Sequence, residues 1–93
     1  MPPTLDDTVA QRPQALSAEI NGETILMSMD SSLYIGLQAT SRDIWHRLAT
    51  PVTVRDLCNS LSEAYGAPLP QVEADTLAFL SHLEQRGLIH YTG

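Results

Sequence analysis

The 93-residue chain has no lysine, and its five arginines face eleven acids, for a formal net charge of −6 at pH 7. A nucleic-acid binder needs a basic face to neutralise phosphates, and an anionic membrane attracts the same kind of face. The expectation is therefore no nucleic acid and no membrane as partner. An acidic surface suits a partner that is basic or mainly apolar. Cys58 is the only cysteine, so no internal disulfide can form and an oxidising compartment gains no support. No stretch approaches the roughly 20 apolar residues of a membrane span. The opening MPPTLDDTVAQRP lacks the basic start and apolar run of a signal peptide. The expected setting is the cytoplasm.

Reactive constellations are missing too. No two of His46, His82 and His90 stand four residues apart, and Cys58 has no cysteine at ligand spacing, so a zinc site is not expected. Ser31-Ser32 lies outside a G-x-S-x-G elbow and reads as a turn pair. Gly22, Gly36, Gly66 and Gly87 are isolated, so no phosphate-cradling loop is present. Asp6-Asp7 reads as a solvated pair. Glu73 and Asp75 fall early in an expected helix, where they complement its dipole. Cys58 falls on an apolar helix face, as a small inert hydrophobe. Catalytic residues, metal and cofactor are all expected to be none.

What is present is one small domain's worth of pattern. The 43% hydrophobic content is ordinary for a globular chain. Residues 1–14 carry three prolines and little periodicity, and read as a flexible N-terminal arm; 15–93 read as the folded domain. In ALSAEINGETILMSM, Asn21-Gly22 between alternating runs predicts a two-residue hairpin. Ile20 then faces Glu23, Ala18 faces Ile25, and Leu16 faces Met27. The apolar set Leu16, Ala18, Ile25, Met27 and Met29 is expected to cover the core, with Ser17, Glu19, Thr24 and Ser28 outward. A three-residue turn at 30–32 returns a third strand, 33–37, with Leu33, Ile35 and Leu37 inward and Tyr34 and Gly36 outward.

The period then changes to 3.6. Thr40 or Ser41 is expected to cap a helix with Ile44, Trp45 and Leu48 inside. Thr53 caps a second helix, lined by Val54, Leu57, Cys58, Leu61 and Tyr65 and stopped by Gly66. Pro70 suits the first turn of a third, lined by Val72, Thr76, Leu77, Phe79, Leu80 and Leu83, which Gly87 ends. LIHY, 88–91, is a short extended tail or wing. A three-stranded meander cannot bury its apolar face alone, so the helices are expected to pack against it. The predicted fold class is α+β and winged-helix-like: a three-stranded antiparallel sheet, then a three-helix bundle. One edge of the third strand stays open, uncharged from Ser31 to Ala39, and contains Gly36. Pattern alone leaves it as a plain wall of the core or as a template for an added peptide strand.

LYIGLQATSRDIWHRL, VTVRDLCNSLSEAYG and EADTLAFLSHLEQRGLI, in that order and spacing, resemble the PqqD family of peptide-modification chaperones, or RiPP recognition elements. RiPPs are ribosomally made, post-translationally modified peptides. The resemblance runs from about Ala15 to Tyr91. It implies a non-catalytic domain that takes the leader region of a precursor peptide antiparallel on its third strand, against its third helix. Carried over by position, the peptide-binding residues would be Leu33, Tyr34, Ile35 and Gly36 on the strand. On the helix they would be Val72, Asp75, Thr76, Phe79 and Leu83, with Asp75 meeting a basic leader residue. Many members read LN after this strand; here Leu37-Gln38 stands. The first half looks nearest to stand-alone domains of lasso-peptide and related pathways. The implied partners are a leader peptide and a maturation enzyme: a leader peptidase of transglutaminase-like type, a cyclase or a radical enzyme. Two other readings are a winged-helix DNA-binding regulator, which the acidic third helix opposes, and a homodimeric structural subunit pairing third strand to third strand.

Overall fold

The structure is a computed structural model, and it describes residues 3–28 and 34–92. Two three-stranded antiparallel sheets and three helices make an α+β domain. One sheet is the expected meander: β2 (Ala15–Ile20), β3 (Glu23–Ser28) and β4 (Tyr34–Leu37), in that spatial order. Asn21 and Gly22 both take positive φ, 53° and 79°, as a tight hairpin turn requires. The β2–β3 register pairs Ile20 with Glu23, Ala18 with Ile25 and Leu16 with Met27, as the turn predicts.

The face is the opposite of the expected one. Thr24, Leu26 and Ser28 are buried, whereas Leu16, Ala18 and Ile20 are exposed. The cause lies at the next strand. Met27 pairs with Tyr34 and Leu26 with Ile35, one residue away from the register of a three-residue turn, which would set Met27 across from Ile35. Met29 and the turn itself lie outside the described residues. Leu37, buried one residue before the first helix, must point at the helices. Its pairing partner Thr24 then turns inward with it. Of the polar side chains so buried, Ser28 Oγ has no hydrogen-bond partner among the described residues, whereas Thr24 is bonded. Thr24 donates to Glu19, which also accepts from Arg42, and His46 Nε2 stands 3.4 Å from Thr24 Oγ1. These bonds, that from Thr24 first, hold the Glu19 carboxyl below its ordinary range. They also tie the rim of β2 to the first helix.

The expected arm is likewise overturned where it is described. Thr8–Gln11 forms β1, the central strand of a second sheet between β5 (Val52–Thr53) and β6 (Ile89–Thr92). Val9 is fully buried and Ala10 nearly so. The preceding backbone accepts bonds from Val54 and Arg55, and Arg12 N–H donates to Leu88. LIHY thus supplies most of a paired strand rather than a free tail.

The helices are α1 (Ala39–Arg47), α2 (Val54–Tyr65) and α3 (Leu69–Gln85). Thr53 Oγ1 accepts the Asp56 N–H at 3.1 Å, so the α2 cap is as read. Gly66 closes α2 at φ 62°, and Pro70 lies in the first turn of α3. Thr40 and Ser41 are inside α1 rather than capping it. Gln38 is the cap residue, and its side chain makes no capping bond. The chain turns from β4 into α1 through that single residue, with Ala39 held at φ 53°. Trp45, Leu48, Leu57, Leu61, Leu80 and Leu83 centre the core, joined from the sheets by Val9, Leu26, Leu37 and Ile89.

Candidate functional site

β4 is hydrogen-bonded to β3 along one side only, and its other edge has no strand partner among the described residues. Every second residue on such an edge leaves a backbone donor and an acceptor free for another chain. Tyr34–Leu37 carries no charged side chain. β2 is the sheet's other edge, but Glu19 there is engaged with Arg42 and Thr24.

A cleft of ≈ 380 Å³ opens where β4 passes into α1. Ile44 and Leu61 form its buried floor, and Val72, Thr76 and Phe79 of α3 form a wall. Thr40, Tyr65, Gln71 and Asp75 bring polar atoms to it. An apolar cleft with few polar groups binds apolar side chains and orients them. The polar groups are themselves held. Tyr65 Oη donates to Asp43 at 2.6 Å, and Arg47 Nε donates to the same carboxylate at 3.0 Å. The tyrosine bond, with help from Arg47 and against partial burial, keeps the Asp43 carboxyl below its ordinary range. The same bond raises the Tyr65 phenol. The Gln71 amide donates to Asp75 at 3.2 Å on the exposed side of α3.

The residues expected from sequence separate into three groups. Tyr34, 72% exposed, and Gly36 point away from the helices; Ile35 is half-buried on the helix side. Leu33 lies outside the described residues. Val72, Asp75, Thr76 and Phe79 all line the one cleft. Leu83 does not: it is fully buried in the core and has no surface for a guest, a correction to the expected set. Periodicity cannot divide an apolar helix stripe between core and cleft. The α1 and α2 contributions were not expected. Tyr65 was read as core but is 50% exposed. Its place at the end of the α2 stripe, one residue before Gly66, is the available signal, because a terminal turn often overhangs the core. Cys58 is buried, and burial pushes its thiol up, away from nucleophilic character.

No curated protein matches the chain. Among solved structures it is similar to TbiB1 in complex with the TbiA(beta) leader peptide, at 27% identity and a TM-score of 0.79, over 90% of this chain and 98% of that one. That match extends beyond fold to nearly the whole length of a protein seen with a peptide. Residues 23–89, from the start of β3 to the first residue of β6, match the family described as coenzyme PQQ synthesis protein D (PqqD). The open strand, the cleft beside it and α3 all fall inside that span, and the chain belongs to the PqqD family.

Proposed function

We propose that this chain is a non-catalytic binder of the leader region of a ribosomally made precursor peptide, as a RiPP recognition element. The observation that carries the reading is an uncharged open strand, ending at Leu37, followed within three residues by the start of an apolar cleft, at Thr40. A peptide added antiparallel to 34–37 takes its affinity from main-chain bonds. Side chains continuing past the strand enter the cleft between α1 and α3, against Val72, Thr76 and Phe79. Asp75 at the rim offers a carboxylate to a basic leader residue. TbiB1, to which the chain is similar at 27% identity, was solved with a leader peptide, and that supports the choice of guest.

The bound leader is presented to a maturation enzyme: a leader peptidase of transglutaminase-like type, a cyclase or a radical enzyme. A lasso-peptide pathway accords with the resemblance of the first half of the sequence to stand-alone domains of such pathways. The test is calorimetric titration with the TbiA(beta) leader and with leader segments of short precursor genes beside this one. A saturable isotherm that weakens at least tenfold in Phe79→Ala, with the fold retained, is expected. No heat with any of these peptides, or full affinity in Phe79→Ala, would reject the reading.

A further inference from the structure

β4 carries no charge of its own, yet a carboxylate lies over it. Glu23 begins β3 on the outward side of the sheet. Its side chain leans across to the outward side of Gly36. A Cβ built on Gly36 would meet Glu23 Oε1 at 3.0 Å and Cδ at 3.1 Å, tighter than most real Cβ contacts, so the carboxylate would have to shift by a few tenths of an ångström. Gly36 has no positive φ, so no turn demands a glycine here. What it supplies is the space that the carboxylate fills. Gln38 Nε2 donates to Glu23 Oε2 and holds the group from the other side. Oε1 has no hydrogen-bond or ion-pair partner among the described residues. All five arginines are described, and those in ion pairs are engaged with other acids.

In an antiparallel pair, the residue directly across from Gly36 puts its side chain on the same outward side, with its Cβ about 5 Å away. The place where a cross-strand side chain would meet it is here occupied by a fixed anion. We propose that Glu23 is a specificity-determining residue for the guest strand, its carboxylate selecting lysine or arginine at the guest position across from Gly36. The inference rests on strand addition at β4, and adds to it one chemical requirement on the leader. The overall charge of −6 favours the same kind of guest.

The test uses the full chain, E23Q and E23K, each checked for native circular dichroism, panned against random 12-residue peptides displayed on phage. The wild type is expected to enrich peptides sharing one basic position. E23Q should lose that preference while still enriching strand-forming peptides, and E23K should select Asp or Glu there. In one resynthesised peptide, replacing the basic residue by norleucine should cost the wild type roughly threefold in affinity, the range of a partly exposed ion pair. It should cost E23Q nothing. Peptides without a basic position, or one unchanged in E23Q and E23K, overturn the proposal. So does an E23Q protein that self-associates with its peptide preference intact, since Glu23 would then only keep bare edges apart. Failure to enrich any peptide rejects strand addition itself, and this inference with it.

Discussion

Which side chains of the sheet face the helices decides which ones a guest strand would meet, and one pair of substitutions reads this directly. Leu26 on β3 is fully buried among core residues, and Leu16 on β2 is 47% exposed on the opposite face. Leu26→Ala removes buried methyl groups and leaves a cavity that its neighbours only partly fill, at about 2–5 kcal/mol. Leu16→Ala gives up only part of a side chain's burial, under about 1 kcal/mol. A chain of this length has a total stability on the order of 5–14 kcal/mol. Leu26→Ala should therefore consume a large share of it and lower Tm by roughly 10–30 °C. The assay is urea denaturation followed by far-UV circular dichroism, with the slope unchanged so that midpoints compare. An equal or larger loss in Leu16→Ala would mean that the sheet presents its other face, with Tyr34 and Gly36 inward, and would refute the site geometry.

Three further outcomes follow from the same structure. Val9→Ala should destabilise by about 2 kcal/mol in the same urea assay, because Val9 is fully buried in the central strand of the second sheet; a loose arm would lose nothing. Tyr65→Phe removes the main hydrogen bond that depresses Asp43, so the Asp43 carboxyl should titrate closer to its ordinary value in a carboxyl-carbon NMR titration. A depressed carboxyl stabilises the fold above its unfolded pKa and loses that contribution as pH falls through the folded pKa. The acid-side loss should accordingly be smaller in the variant and be complete at a higher pH. Cys58 should resist a thiol reagent such as DTNB in the native protein and react fully in urea, since burial both shields and raises it.

The helices were the most legible part of the sequence. Thr53, Gly66 and Pro70 act locally, within one turn of the residues they organise, so no distant contact is needed to read them. The Asn21-Gly22 hairpin was legible for the same reason. The sheet's face was not, because parity is inherited through the 28–34 connection, and one residue of slip inverts every side chain in β2 and β3. Nor was β1. Its buried run is two residues, Val9-Ala10, and its partners lie some 40 and 80 positions away in β5 and β6. Four of the five α3 site residues come together in the cleft. Leu83 does not, because only its depth in the fold separates it from Phe79, four residues earlier on the same stripe. Glu23 carried no sequence signal: its relation to Gly36 is a diagonal across two strands.

Hydrogen exchange at the β4 edge tests strand addition most directly. Amide protection over 34–37 is measured by NMR with and without a saturating leader peptide. Strand addition predicts that the edge amides pointing away from β3 slow by at least tenfold on binding, while β2 amides at 15–20 are unchanged. Tight binding with no gain in protection along β4, or with the gain on β2 or β6, would contradict it.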